Sequence, residues 1–330
     1  MKWMNGLALL FLAASCTSVP SGIGADPYGR GGVAASVPRH AGSEIMICGQ
    51  RVEIGAPVVL WEDPGGYNAY GTTIRVGTNP TYIDEETGRR YLPGRRAQPE
   101  RDQEAVSPGA SSVQELGHAV DQFVLHYDVC GNSRTCFEVL HHRRGLSVHF
   151  LLDIDGTLYQ TLDLQDTAWH ATKANSRSIG IEIAQIGARP PSKLEELDEW
   201  YSTDGGGVRL ILPERHGDGG VLTQDFIGRP ASPEMSKGRI NGTMLLQHDF
   251  TPQQYETLGA LLAVLTRELP GLPAKFPVDA TGDIIDEVLT EEEFEQFSGI
   301  LGHYHVQVNK TDPGPAFDWL RLKHEIATRR

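Results

Sequence analysis

The sequence predicts an α/β fold, and three observations carry that expectation. Short apolar runs of strand character recur at 122–126 (QFVLH), 147–153 (SVHFLLD), 157–161 (TLYQT) and 178–184 (SIGIEIA). Helical patterns stand between and after them, and strands alternating with helices are the mark of α/β architecture. Hydrophobic residues make up 39% of the chain and charged residues 22%, enough apolar material for a real core.

The chain opens with MKWMNGLALLFLAASC, in which Lys2 gives a minimal positive region and residues 7–14 a short apolar one. This pattern is an export signal, too short to cross a bilayer. The ending Ala13-Ala14-Ser15-Cys16 resembles a bacterial lipobox, although Leu12 stands one place early. It implies acylation of Cys16, which would hold the mature protein to a membrane surface without a spanning helix. The expectation is therefore an exported, periplasmic, lipid-anchored protein with a signal at 1–16. Residues 17–40 are rich in Gly, Ser and Pro without periodicity and read as a flexible tether.

Residues 41–112 read as an N-terminal extension that packs on the main domain, which occupies 113–330. The extension begins with two β-like runs in EIMICGQRVEIGAPVVLW and continues into a polar, Pro-rich loop. In the main domain, RTCFEVLHHRR (134–144) reads as a helix, and Asp155-Gly156 is a hairpin turn between two strands. The stretch 186–250 is irregular and reads as an insertion. Thr251-Pro252-Gln253-Gln254 then combines an N-cap, a first-position Pro and a capping box. Leu258, Leu261, Leu262 and Leu265 form the apolar stripe of the helix it starts, and Pro270 ends it. A second insertion at 276–298 holds a helix near 290–297. Residues 300–303 read as a short strand and 316–327 as a terminal helix.

Lys+Arg number 29 against 43 Asp+Glu, a net charge of −14 that repels phosphate backbones and argues against nucleic-acid binding. Export also changes the meaning of Cys48, Cys130 and Cys136. In an oxidising compartment a disulfide is favoured over a metal pair. Cys130 and Cys136 have a bridgeable spacing, which leaves Cys48 as a buried free thiol; other pairings stay open on spacing alone.

Among the twelve His, two occupy telling places. His126 ends an apolar strand and His303 follows another, while Asp312 lies in a Pro-Gly turn, KTDPGP. Two imidazoles and one carboxylate are the minimum set for a catalytic zinc, with the fourth position left for water. Spacing alone is weak support, because a strand-end His is more often structural.

Four ordered segments sharpen the picture: VLHYDVCGNSRTCFEVL, RGLSVHFLLDIDGTLYQTLDLQDTAWHA, SIGIEI and GHYHVQVNKTDPGPAFDW. Together they resemble the type-2 N-acetylmuramoyl-L-alanine amidases and their relatives, the peptidoglycan-recognition proteins. The resemblance implies a central mixed β-sheet flanked by helices, with one zinc ion at the floor of a surface groove. It implies metal ligation by His126, His303 and Asp312, a catalytic carboxylate at Glu182 and an oxyanion-stabilising Lys310. It supports a Cys130–Cys136 disulfide. His149, Trp169, His170 and Asn175 fall where the family's substrate-facing groove wall lies, and Tyr127 and Asp128 would orient the neighbouring ligand. The loop HVQVN departs from related enzymes, which often have one more residue there and a Pro, but the Lys-x-Asp step is intact.

The implied activity is hydrolysis of the amide between N-acetylmuramic acid and L-alanine in peptidoglycan. Two other readings stay in view: a recognition protein that holds muropeptides without cutting them, and an amidase restricted to soluble anhydro-muropeptides. The presence of all three ligand residues favours an enzyme over a binder.

Overall fold

The computed structural model describes residues 41–75, 77–95 and 112–329. The expected signal, Cys16 and the tether lie outside the described residues.

The chain enters through a hairpin of β1 (Gly42–Ile47) and β2 (Gln50–Leu60), whose turn residues Cys48 and Gly49 both have positive φ. Such a turn matches the right-handed twist of the strands. The Asp163 carboxylate accepts both turn N–H groups, at 2.8 and 2.7 Å. A two-residue strand, β3 (Tyr91–Leu92), precedes α1 (Val113–Ala119), which starts from a Ser112/Glu115 capping box. β4 (Gln122–Tyr127) is buried along its whole length, as a central parallel strand should be. α2 (Ser133–Phe137) continues through residues 138–144 in wider π-type turns that close at Gly145. β5 (Phe150–Leu152) and β6 (Leu158–Gln160) flank the Asp155-Gly156 turn, β7 (Thr167–Ala168) pairs with β3, and β8 (Ser178–Ile183) follows.

The stretch 186–250 is more regular than its composition suggests. It contains α3 (Glu195–Asp198), the hairpin of β9 (Tyr201–Asp204) and β10 (Gly207–Leu210), and that of β11 (Ser236–Ile240) and β12 (Thr243–Gln247). Most residues of both hairpins are only partly buried or exposed, and their sequences lack the clean apolar alternation that betrays a half-buried sheet. The Asn241-Gly242 turn was the readable signal. α4 (Pro252–Glu268) has the expected capping box at Thr251, and its four stripe leucines are fully buried. α5 (Glu291–Gln296), β13 (Gly299–Gly302), the single turn α6 (His303–Val306) and α7 (Trp319–Ala327) complete the chain.

Seven strands make the central sheet, in the order β1-β2-β6-β5-β8-β4-β13. β5, β8, β4 and β13 run parallel, β6 is antiparallel to β5, and β1 is antiparallel to β2. The first two strands of the N-terminal extension are thus built into the sheet as one of its edges. One face packs on α4 and α7 through Phe123, Leu125, Ile179, Ile181, Leu258 and Leu322. Those two helices approach closely at Gly259, where a Cβ would come within 2.4 Å of the Glu325 side chain. The other face carries Val124 and Leu301 under the 171–174 loop and α5. Among the described residues, no helix is long and apolar enough to cross a membrane.

Candidate metal centre

In an open α/β sheet the crevice beyond the carboxyl ends of parallel strands is the natural place for a site. The candidate residues gather there. Alternation along β4 turns Phe123, Leu125 and Tyr127 into the core beneath α4 and leaves Val124 and His126 on the opposite face. Glu182 of β8 is the direct register partner of His126, so the two share that face. β13 pairs with the other side of β4 and ends at Gly302, delivering His303 at the start of α6. The chain then returns so that the Asp312 carbonyl accepts the Tyr304 N–H at 3.2 Å.

His126 Nδ1 lies 2.8 Å from His303 Nδ1 and 3.0 Å from Asp312 Oδ2, and His303 Nδ1 is 2.9 Å from the same oxygen. All three residues are buried, and among the described residues they are the group of His, Cys, Asp or Glu whose ligand atoms converge on one point. Zinc bonds of about 2.0–2.1 Å in tetrahedral geometry put ligand atoms about 3.3 Å apart. An ion would therefore need these three to spread by only a few tenths of an ångström. Two imidazoles and a carboxylate suit such an ion, and the donor set fits.

The electrostatics follow from this crowding. Burial, reinforced by His303, pulls His126 down to about 4. Burial alone would raise the Asp312 carboxyl, but His303 and His126 overcome it and hold it well below the usual carboxylate range. Glu182 is enclosed by charged and polar neighbours yet only partly buried. Burial pushes it well above the ordinary range, aided by Asp312 and Asp128 and opposed by Lys310 and Arg144. Lys310 is half-buried in the loop between His303 and Asp312, and its charge acts on both Glu182 and His126.

Other expected site residues fall elsewhere. His149 shares the strand face of the site but is sealed from solvent, with the buried Arg95 guanidinium 2.7 Å from its Nε2. The Asn175 side chain is spent on its own loop, accepting the N–H groups of His170 and Ala171 at 3.1 and 2.7 Å. Trp169 is half-buried, with its backbone N–H donated to Ser147 Oγ at 3.0 Å. His170 stands behind His126, with its Nδ1 3.0 Å from His126 Nε2. Cys130 and Cys136 share one buried apolar cluster beside β5, and Cys48 is a partly buried free thiol. Burial first, then Asp163, raises that thiol to about 12.

Among the supporting residues, Tyr127 and Asp128 were expected beside the ligand, whereas Gln307, Thr311 and Asn241 had no sequence expectation. Gln307 Oε1 lies 2.8 Å from His303 Nε2; the i,i+4 spacing in HYHVQ was the available signal. Tyr127 is hydrogen-bonded through its hydroxyl to Thr311, which separates Lys310 from Asp312. Asn241, from the 186–250 insertion, donates its side-chain amide to the Lys310 carbonyl at 3.0 Å. Asp128 Oδ1 accepts from Cys130, Gly131 and Gln185, tying the loop after β4 to the end of β8.

Solved structures similar to this chain include a selenomethionine derivative of AmpD, at 16% identity over 79% of this chain and 98% of that one, TM-score 0.32. AmpDh3 from Pseudomonas aeruginosa, in complex with an anhydromuramic pentapeptide, shares 16% identity over 68% and 64% of the two chains, TM-score 0.35. AmiD from E. coli, in complex with an anhydro-N-acetylmuramic acid peptide, shares 16% over 70% and 65%, TM-score 0.33. Superpositions this loose do not bear on the reaction. No curated protein sequence matches the chain. The family model for N-acetylmuramoyl-L-alanine amidase, Amidase_2, matches residues 116–204, a segment that holds His126 and Glu182 while His303, Lys310 and Asp312 lie beyond it. Residues 116–204 of this chain are thus similar to the N-acetylmuramoyl-L-alanine amidase family.

Proposed function

We propose that the chain is a zinc-dependent hydrolase that cleaves the amide joining the lactyl group of N-acetylmuramic acid to L-alanine in peptidoglycan. The observation that carries this reading is the convergence of His126 Nδ1, His303 Nδ1 and Asp312 Oδ2 within 3.0 Å beside Glu182. These three would hold the ion, which when bound supplies Lewis acidity that activates water and polarises a carbonyl.

The chain's own residues then account for the proton and the charge. Glu182 is the register partner of His126 and only partly buried, placed to take a proton from the attacking water. As the water oxygen bonds to the carbonyl carbon and the C–N bond breaks, the same carboxyl delivers that proton to the departing nitrogen. Lys310 supplies positive charge where the carbonyl oxygen becomes anionic, a role worth about 2.7–4 kcal/mol for a well-placed donor. The half-buried Trp169 offers a flat surface to sugar or peptide.

Digestion of purified peptidoglycan with and without a chelator tests this reading. Free stem peptides and intact glycan strands, lost with chelator and regained on adding zinc, are the expected products. Cuts between sugars or within the peptide would refute it. Parallel digests of intact sacculi and soluble anhydro-muropeptides separate the two substrate pools.

Export and lipid anchoring through Cys16 belong to the same proposal and rest on the lipobox-like sequence. Cys16→Ser is expected to move the protein from the membrane fraction to the soluble one. Retention of the variant in the membrane fraction would remove the anchor.

A further inference from the structure

A metal ligand holds its geometry only if its outer nitrogen is also held. With Nδ1 of His126 directed at the ion, its Nε2 carries the hydrogen and needs an acceptor. His170 Nδ1 lies 3.0 Å from that nitrogen, with the two rings perpendicular. The other nitrogen of His170 is 3.3 Å from Ser178 Oγ, so the ring is held at both ends. Its backbone is fixed as well, since Asn175 Oδ1 accepts the His170 and Ala171 N–H groups.

The room for this ring comes from the neighbouring strand. A Cβ at Gly180 would lie 2.5 Å from His170 Nδ1 and 2.6 and 2.7 Å from two ring carbons. Real Cβ atoms do not approach so closely, so the ring occupies the space that a side chain at 180 would fill. Gly180 sits two residues before Glu182 on the same strand face, which sets the ring directly behind the catalytic carboxylate's row.

We propose that His170 is a positioning residue of the metal centre: by accepting the Nε2–H of His126, it fixes that ring in the tautomer and orientation that present Nδ1 to the ion. This inference rests on the metal-hydrolase reading. It reassigns His170 from the groove wall to the support of a ligand. Outer partners of this kind typically alter metal affinity by about 10–100-fold when removed.

The test uses the full chain, stripped of metal, in zinc competition against a chromophoric chelator and in cobalt(II) absorption titrations. His170→Ala should weaken zinc about 10–100-fold and shift the cobalt bands. His170→Asn, whose amide oxygen can stand near the Nδ1 position, should recover most of the affinity. His170→Gln reaches instead towards the Nε2 position and should not. Gly180→Ala, which crowds the ring, should resemble His170→Ala. Zinc affinity of His170→Ala within twofold of wild type, with only KM raised, would return the ring to the substrate wall and overturn the proposal. Equal losses in the Asn and Gln variants would also overturn it, by showing that the ring merely fills space; this comparison stands even where the Ala variant does not fold. Failure of the wild-type chain to bind zinc would strike the metal-hydrolase reading itself, and it is seen before any variant is made.

Discussion

Glu182→Gln should bind one zinc per chain with near-normal affinity and lose about 10²–10⁴-fold in kcat, the range a general acid–base group contributes. The reason is geometric. Glu182 is the register partner of His126, but its carboxylate is not one of the three converging donors. The substitution removes a proton acceptor while leaving the ligand set and side-chain volume almost unchanged. KM should change little, because the acid–base work falls in the chemical step. Zinc content by elemental analysis and steady-state kinetics on a soluble muropeptide give the two readouts. A variant within tenfold of wild-type kcat would remove Glu182 from the mechanism. A variant that loses its zinc would make it a metal-site residue instead.

His303→Ala or Asp312→Asn should abolish both metal binding and turnover. Each strips the triad of a donor, and Asp312→Asn also removes the negative charge that offsets a buried dication. Losing the ion forfeits several kcal/mol of transition-state stabilisation, roughly 10³-fold or more in rate. Added zinc should restore neither variant at concentrations that saturate the wild type. Full activity in either would show that the convergence of these side chains is incidental. The contrast with Glu182→Gln is the useful part, since one substitution separates metal from turnover and the others do not.

The parts of this molecule that could be read from sequence are those with local causes. The Thr251 capping box, the leucine stripe of α4 and the Asp155-Gly156 turn depend on neighbours a few residues away, and all stand where expected. Placing His126 and His303 at strand ends needed only the length of the apolar runs. What could not be read depends on distant chain. Nothing in EIMICGQRVEIG says which sheet its hairpin will join, and it forms the edge beyond β6. Alternation put His149 on the site's side of β5, but only the fold brings Arg95 over it. Asn175 looked free because its partners are backbone groups, invisible to any residue pattern. His170 was noticed for its place beside Trp169, while its link to His126 joins a loop to a strand end 44 residues away in sequence.

The last strand of the sheet is also its most lightly fastened. β13 meets β4 over four residue pairs, Gly299↔Gln122 to Gly302↔Leu125, and among the described residues has no strand on its far side. Immediately past that seam lie His303 and Asp312, 177 and 186 residues from His126. An ion held by all three would act as a rivet through the hem, joining early and late chain at the border of the weave. Its binding free energy would then count toward folding as well as chemistry. Metal starvation would loosen this border of the fabric along with silencing the enzyme.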